Sequence, residues 1–418
     1  MIEMNSSTIT TPSEQAAVNR LSWFQRFARR RVIEWLSKIE SGTIRFSDPQ
    51  ASQKFGPSSN GDAQAHLTIG NGDFYSQIAR GGSLGMADSY LNGDWQADDL
   101  TKLLSILYRN NREKSAGKTF TATLSQLFGR FLQSVNGNTL RGSRRHIAAH
   151  YDLSNEFFEL FLDPTLMYSS AYFEQESMSL HDASVAKLEQ LCRKLDLQPT
   201  DHVLETGTGW GGFGLHAVQN FGVKLTTTTI STAQFERARQ RFKQSEIEDK
   251  VQLLDADYRE LTGQYDKLIS IEMVEAVGER YLDTYFKQCG KLLKPGGRFV
   301  LQAIVMPEQR YDSYRRGVDF IQKYIFPGGF LPSVAALQQS VGRTSNLRLQ
   351  GVEDLSPHYA RTLQEWRARF FTQLDEVRRL GFDDRFIRMW EYYLCYCEAA
   401  FQEQAVRVVQ IVWDKPAR

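Results

Sequence analysis

Short blocks of apolar residues recur at regular intervals along the second half of the chain. Five of these blocks have the length and composition of buried strands, and the more polar stretches between them have the length of helices. The predicted strands are residues 203–206, 224–230, 251–255, 265–271 and 298–302. This alternation predicts the α/β class, with a doubly wound parallel sheet whose ligands bind beyond the carboxyl ends of the strands.

A glycine-rich turn follows the first of these strands. Residues 203–212 read Val-Leu-Glu-Thr-Gly-Thr-Gly-Trp-Gly-Gly. Gly207 and Gly209 allow the backbone to approach a ligand closely, and the carboxylate of Glu205 can meet the amino group of a methionine moiety. The Glu-x-Gly-x-Gly spacing therefore favours S-adenosylmethionine over a dinucleotide, and a tight turn without a ligand is the alternative.

Polar residues stand where the later strands are predicted to end. Gln234 follows the second strand, Asp257 and Tyr258 follow the third, and Glu272 and Glu275 follow the fourth. Because parallel strands end at one edge of the sheet, these side chains are expected near the glycine turn.

Composition excludes several classes of protein. The chain has 418 residues and a formal net charge of +1, so no global charge points to nucleic acid. Its four cysteines are unevenly placed, which favours free thiols in a reducing cytosol over a disulfide framework. A metal site is not expected, and neither a membrane-spanning apolar run nor a secretory signal is recognisable.

The first half of the chain predicts a different organisation. Residues 1–14 are polar and are expected to be disordered, and residues 41–110 predict a small α+β module. Residues 20–36 predict a helix with five arginines, which can lie on an anionic membrane or pack on its own domain as an ordinary amphipathic helix. The aromatic residues expected on one side of this helix are Trp23, Phe24, Phe27 and Trp35. A linker is predicted near the basic residues 141–145, and a helical insertion at 305–345.

Seven motifs occur in order along the rest of the chain. They are His150-Tyr-Asp-Leu-Ser-Asn-Glu-Phe-Phe158, Asp163-Pro164, Tyr168-Ser-Ser-Ala-Tyr-Phe173, Glu205-Thr-Gly-Thr-Gly-Trp-Gly-Gly212, Thr229-Ile-Ser-Thr-Ala-Gln234, Glu272-Met-Val-Glu-Ala-Val-Gly278 and Leu293-Lys-Pro-Gly-Gly297. Together they closely resemble the cyclopropane-fatty-acyl-phospholipid synthase family, which includes the mycolic acid cyclopropane synthases. Residues 40–110 also resemble the N-terminal domain of the phospholipid-acting members, through Gly85-Met-Ala-Asp-Ser-Tyr-Leu-Asn-Gly-Asp-Trp95.

The resemblance implies a fold, a domain plan and a reaction. The sheet is expected to be of the seven-stranded methyltransferase type, with a smaller N-terminal α+β domain. Three parts are expected: a tail and basic helix (1–40), a lipid-interaction domain (41–140) and a catalytic domain (141–418). The implied reaction transfers a methylene group from S-adenosylmethionine to a cis double bond of a phospholipid acyl chain and closes a cyclopropane ring through a carbocation.

The resemblance also implies cofactor residues and partners. The residues expected to contact S-adenosylmethionine are Tyr168, Ser169, Glu205, Gly207, Gly209, Thr229, Gln234, Asp257 and Tyr258. The expected partners are phospholipid acyl chains at the inner face of the cell membrane, with which the cytoplasmic protein would associate peripherally. A homodimer is left open, and nucleic acid is not expected.

A bound bicarbonate is the general base that the resemblance implies. Its pocket would be formed by Glu275, the backbone of Ile304, Tyr359 and Cys397, because a buried anion needs hydrogen-bond donors. Gln302 stands where the family commonly has histidine, and its amide donates but does not titrate. This difference leaves open whether the chain is a cyclopropane synthase or a related lipid methyltransferase that makes a methyl- or methylene-branched chain. An inactive lipid-binding protein is a separate alternative.

Overall fold

The computed structural model describes residues 21–57, 63–111 and 153–417. Contacts divide the chain into two compact units, Met1–Gly117 and Lys118–Arg418. The predictions about the polar tail, Arg20, His150 and the linker near 141–145 lie outside the described residues. The division of the chain at residues 40 and 140 stays a prediction.

The first unit is a small α+β domain, as predicted. Its elements in chain order are α1 (Trp23–Leu36), β1 (Thr43–Asp48), β2 (Ala51–Phe55), β3 (Gln64–Ile69), α2 (Asp73–Leu91), β4 (Trp95–Ala97) and α3 (Leu100–Asn111). The sheet order is β2-β1-β3-β4, and only the β1–β3 pair is parallel. Alternating residues of β1 and β3, such as Ile44, Phe46 and Leu67, form the core, and α3 packs on these two strands.

The basic helix α1 belongs to this unit. Ser22 caps it, since the Ser22 Oγ accepts from the backbone N–H of Gln25 at 3.2 Å. Arg29 forms an ion pair with the buried carboxylate of Asp48 at 2.5 Å. The four aromatic side chains do not share one face as expected: Trp23 and Phe27 are 74% and 59% exposed. The other two, at positions 24 and 35, are partly buried.

The second unit contains the seven-stranded sheet. Its helices are α4 (Asn155–Glu159), α5 (Leu180–Leu195), α6 (Gly212–Phe221), α7 (Thr232–Gln244), α8 (Leu282–Leu292), α9 (Glu308–Tyr314), α10 (Val334–Thr344), α11 (Ser356–Thr372), α12 (Leu374–Arg379) and α13 (Asp384–Gln402). Its strands are β5 (His202–Thr206), β6 (Lys224–Thr229), β7 (Val251–Asp255), β8 (Tyr265–Ile271), β9 (Leu293–Val305), β10 (Arg348–Asp354) and β11 (Arg407–Asp414).

The strand order is β10-β11-β9-β8-β5-β6-β7. Strands β7, β6, β5, β8 and β9 are parallel, whereas β11 pairs antiparallel with both β9 and β10. The α/β class and the methyltransferase-type sheet are therefore confirmed. The five predicted strands are present, and β10 and β11 were not predicted. The carboxyl ends of β5, β6, β8 and β9 meet at one edge, where the candidate site lies.

The insertion between β9 and β10 is helical, as expected. It contains α9, a π-helical turn (Ile321–Ile325) and α10. Such turns are rare and occur frequently at functional sites. In the described ranges, no helix has both the length and the apolarity needed to cross a membrane.

Candidate active site

The glycine turn joins β5 to α6 at the carboxyl edge of the sheet. The backbone N–H groups of Gly207 and Thr208 each donate to the carbonyl oxygen of Thr228 at 3.0 Å, which holds the turn against β6. Gly207 and Gly209 have φ angles of +98° and +53°, a region that favours glycine. A Cβ atom on Gly209 would meet no atom within 4 Å, so the turn is open on that side.

Glu205 precedes this turn, and only 2% of its surface is exposed. Its Oε2 accepts from the Thr227 hydroxyl at 2.6 Å. Burial raises the pKa of Glu205 to about 8, while Thr227 and the nearby Lys187 lower it. A buried carboxyl group gains from a cationic partner such as an amino group. Glu205 and the open side of the turn therefore fit the amino-acid part of S-adenosylmethionine.

Thr229 and Gln234 meet at the end of β6. The Thr229 hydroxyl donates to Gln234 Oε1 at 3.0 Å, and Ser231 caps α7 by accepting from the Gln234 backbone N–H at 3.3 Å. The NH2 group of the Gln234 amide, which is a hydrogen-bond donor, therefore faces away from Thr229. Their contact with a ribose stays a prediction.

Asp257 and Tyr258 follow β7 and are both in contact with Arg259. The Arg259 Nε and Nη2 donate to the two carboxylate oxygens of Asp257, each at 2.7 Å. The Tyr258 ring lies edge-to-face with Tyr285, with 5.2 Å between centroids. The Asp257 carboxylate is thus engaged within the chain, and the predicted adenine contacts of this pair stay a prediction.

Lys187 on α5 is a site residue that the sequence reasoning missed. It is fully buried, and its Nζ donates to the hydroxyl of Ser169 at 2.8 Å. Burial lowers the pKa of Lys187 to about 8, while the carboxylates of Glu272, Asp163 and Glu205 raise it. A lysine on the buried stripe of an amphipathic helix is unusual, and that position is the signal that was available in the sequence.

Glu272 directly follows β8 and accepts three hydrogen bonds. Its Oε1 accepts from the backbone N–H of Ser170 at 2.9 Å and from Gln302 Nε2 at 2.8 Å, and its Oε2 accepts from the Tyr359 hydroxyl at 2.9 Å. Burial raises the pKa of Glu272, and the donors and Lys187 lower it. The sequence placed Glu272 at a strand end but gave it no role.

Glu275 stands on the short turn after Glu272. Its Oε1 accepts from the backbone N–H of Ile304 at 2.5 Å. In the part of the chain that the structure describes, its buried Oε2 has no hydrogen-bond partner. Burial and the charge of Glu272 raise the pKa of Glu275 to about 8, so this group is mostly protonated at neutral pH.

Three of the donors predicted to surround a bicarbonate form hydrogen bonds within the chain. Tyr359 and Gln302 donate to Glu272, and Ile304 donates to Glu275. Cys397 on α13 is a partly buried free thiol that interacts electrostatically with Tyr359, and burial raises the pKa of this thiol. The structure brings these residues together around two carboxyl groups, and the bicarbonate itself stays a prediction.

Aromatic rings pack next to these carboxyl groups. The hydroxyls of Tyr168 and Tyr393 are 2.8 Å apart, and Tyr359 stacks on Phe401 with 4.5 Å between centroids. Their faces offer π-electron density to a positive charge in a region of low polarity. Rings that pack around Tyr168 and Tyr359 are Phe158, Phe161, Phe326, Trp366, Tyr393 and Phe401. The site can therefore stabilise a cation and hold a proton acceptor beside it.

Comparisons with known proteins identify the family of the chain. Residues 138–411 match the family described as mycolic acid cyclopropane synthetase. The chain belongs to this family. The resemblance predicted from the motifs is thus confirmed, and the chain is an S-adenosylmethionine-dependent methyltransferase.

Two relatives align with most of this chain. The cyclopropane-fatty-acyl-phospholipid synthase of Escherichia coli is 34% identical, covering 92% of this chain and 96% of that protein. The tuberculostearic acid methyltransferase UfaA1 of Mycobacterium tuberculosis is 39% identical, covering 80% of this chain and 79% of that protein. The mycolic acid cyclopropane synthase CmaA1, solved with SAH and CTAB, aligns with a TM-score of 0.60 at 31% identity, covering 65% of this chain and 98% of that one.

Proposed function

We propose that this family member adds a one-carbon unit from S-adenosylmethionine to the cis double bond of an unsaturated acyl chain in a membrane phospholipid. The observation that carries the proposal is the juxtaposition of aromatic rings with Glu272 and Glu275 at the sheet edge that also holds the glycine turn. S-adenosylmethionine, when bound, supplies an electrophilic methyl group. An olefin is a weak nucleophile, so the protein must position both reactants and shield the cation that forms.

The product is proposed to be a cyclopropane ring, and a branched chain is the second candidate. The Escherichia coli relative is named for a cyclopropane product and a phospholipid substrate, whereas the mycobacterial relative is named for tuberculostearic acid. Gln302, in place of the expected histidine, supports keeping the second candidate. The resemblance implies a bicarbonate as the proton acceptor, and the alternative acceptors at this edge are the carboxyl groups of the chain itself.

Mass spectrometry of lipids tests the reaction. A host without its own cyclopropane synthase would express the full chain or a Gly209→Asn variant, and unsaturated phospholipids would be compared. We expect a gain of one CH2 per modified acyl chain with the natural sequence alone. Hydrogenation and acid methanolysis then distinguish a ring from a methylene or methyl branch. S-adenosylmethionine binding without any modified lipid would favour the inactive lipid-binding alternative.

Docking at the inner face of the cell membrane is proposed for α1. Trp23, Arg26, Phe27 and Arg30 are exposed and follow helical spacing, so they form one face on which aromatic and basic side chains alternate. Aromatic rings favour the membrane interface and arginines favour anionic head groups. Arg29 is not free for this role because it pairs with Asp48.

Liposome sedimentation tests the docking face. A Trp23→Ser/Phe27→Ser double variant should bind anionic vesicles several-fold more weakly than the natural sequence. The matched control is Leu349→Ser/Val352→Ser, which removes two apolar side chains that are 44% and 46% exposed on β10. Equal binding of both variants and the natural chain would contradict the assignment of docking to α1.

A further inference from the structure

The carboxylate of Glu272 accepts hydrogen bonds from two groups that were predicted to bind an anion from solution. Tyr359 and Gln302 were expected to hold a bicarbonate, and both donate to Glu272, at 2.9 and 2.8 Å. The backbone N–H of Ser170 is the third donor, at 2.9 Å. Three donors on one carboxylate form an anion-binding arrangement in which the anion is covalently part of the chain.

The backbone of Glu272 is in an unusual conformation. Its φ angle is +49°, in the left-handed region that residues other than glycine rarely adopt. A strained residue of this kind persists only when the surrounding structure determines it, and such residues concentrate at active sites. Here the left-handed backbone turns the chain at the end of β8 and presents the carboxylate to Tyr359 and Gln302.

A polarised chain of hydrogen bonds fixes the orientation of the Gln302 amide. The ammonium group of Lys194 donates to Gln410 Oε1, Gln410 Nε2 donates to Gln302 Oε1 at 2.9 Å, and Gln302 Nε2 donates to Glu272 at 2.8 Å. An ammonium group has only donors, so both amides must present their oxygens toward Lys194 and their NH2 groups toward Glu272. Gln410 and Gln302 are buried, with 1% and 0% of their surfaces exposed, which excludes competing water.

The charges around Glu272 are consistent with a proton acceptor. Glu275 is mostly protonated at neutral pH because burial and Glu272 raise its pKa to about 8. The negative charge of the two carboxyl groups is therefore favoured on Glu272, which accepts from more donors than Glu275 does. Oε1 of Glu272 accepts two hydrogen bonds and Oε2 accepts one from Tyr359, so Oε2 keeps capacity for a proton.

We propose that Glu272 is the proton acceptor of the reaction in place of a bicarbonate from solution, and that Lys194, Gln410 and Gln302 are positioning residues that hold it. This inference rests on the proposed function. The π-electron pair of the olefin forms the bond to the methyl carbon, and the sulfur of the donor keeps the electron pair of the broken C–S bond. Glu272 Oε2 then takes a proton from the transferred methyl carbon. The released C–H pair closes the ring, or forms an exocyclic double bond after a hydride shift, so atoms and charges balance for either product.

Bicarbonate dependence of the purified full chain is the first test. Methyl transfer from labelled S-adenosylmethionine to vesicles of the host's extracted phospholipids would be measured in CO2-free buffer and again with millimolar bicarbonate. We expect the natural sequence to turn over equally in both. A several-fold rise with bicarbonate would overturn the proposal for Glu272 and leave the proposed function intact, whereas no transfer to any lipid would overturn both.

Two variants of Glu272 sharpen this test. Glu272→Gln keeps the shape of the side chain but is no longer a carboxylate, so turnover should fall about 100-fold or more, the range for loss of a general base. Glu272→Gly removes the carboxylate and suits the backbone φ, so its activity should be equally low in CO2-free buffer and recover when bicarbonate is added. Calorimetry should show nearly unchanged S-adenosylmethionine affinity in both. A Glu272→Gln variant that retains turnover would overturn the proposal.

The positioning role of Lys194 has its own matched control. Lys194→Met should lower kcat about tenfold with little change in KM for S-adenosylmethionine, and Lys194→Arg should restore most of the loss because it again provides only donors. Arg193→Met removes a neighbouring charge on α5, where Arg193 contacts Glu189 at the surface, and should leave kcat unchanged. Equal kcat for Lys194→Met and the natural sequence would contradict the positioning role.

Discussion

The two halves of the candidate site differ in how they satisfy their polar groups. Around the glycine turn, the structure leaves space: a Cβ on Gly209 would meet nothing within 4 Å, and the buried Glu205 accepts from Thr227. Around the ends of β8 and β9, the donors already have partners, because Tyr359, Gln302 and Ile304 bond to the carboxyl groups of the chain. The first half has space for a ligand, whereas the donors of the second half are already bonded to carboxyl groups of the chain.

Because of this difference, we expect cofactor affinity and turnover to depend on different residues. A substitution at the turn should change cofactor affinity first, whereas a substitution among the carboxyl groups should change turnover first. Lys187 is the exception, because its charge acts on both Glu205 and Glu272. The following predictions test whether the separation holds.

Loss of cofactor binding at the turn is the largest expected effect. Gly209→Asn keeps a residue that tolerates positive φ but fills the open side of the turn, so S-adenosylmethionine affinity should fall about 100-fold or more. Calorimetry measures this loss. Gly296→Asn is the control, since Gly296 also has a positive φ and open surroundings but lies at the opposite edge of the sheet. Undiminished affinity in Gly209→Asn would place the cofactor elsewhere.

Removal of one donor to Glu272 should lower turnover without weakening binding. Tyr359→Phe deletes the hydroxyl that donates to Oε2, and we expect kcat to fall about 10- to 30-fold while S-adenosylmethionine affinity stays within about threefold. Single-turnover kinetics and calorimetry separate the two quantities. Tyr265→Phe is the control because it removes a hydroxyl that bonds only to the nearby Thr262 carbonyl in the structure as described. If Tyr359→Phe lowered only the affinity for S-adenosylmethionine, the carboxyl half would serve binding and not turnover.

Lys187→Met should affect both halves at once. The change conserves volume in a buried position but removes the positive charge near three carboxylates, so affinity and kcat should each fall about tenfold. The control is Lys294→Met, which removes a partly exposed lysine paired with Asp266 at 2.8 Å. If only kcat changes, Lys187 belongs to the carboxyl half alone.

The smallest expected effect is a pH-dependent difference in stability. Because the folded-state pKa of Glu275 is raised to about 8, its protonated form stabilises the fold below the unfolded pKa, and this contribution is lost as the pH rises through 8. The Tm of Glu275→Gln minus the Tm of the natural sequence should therefore increase by about 3 °C or more when the pH is raised from 6 to 9. Asp283→Asn should show no such trend, because Arg343 lowers the pKa of Asp283.

The sequence predicted what is encoded locally. The turn from Glu205 to Gly212, the five parallel strands and the helical insertion follow from short contiguous patterns, and each is present. Strand β10 was missed because all of its residues are exposed and its sequence lacks an apolar face. The division of the α1 aromatics was missed because it depends on which face contacts α2.

The role of Glu272 could not be predicted for a different reason. Its donors come from Ser170, Gln302 and Tyr359, which are brought together only by the fold. The motif identified Glu275 as the acid of the site, whereas in the structure Tyr359, Gln302 and Ser170 donate to Glu272 and Ile304 donates to Glu275. Sequence reasoning can place both acids at a strand end, but it cannot state which carboxylate faces which donor.

The left-handed backbone at Glu272 also has a genetic consequence. Glutamate and glycine codons can differ in the middle base alone, so a single transition exchanges the two residues. Because glycine adopts this φ without strain, the exchange would leave the end of β8 in place while adding or deleting a carboxylate. A lineage can therefore pass in one mutational step between an enzyme that carries its own acceptor and one that recruits an ion from the cell.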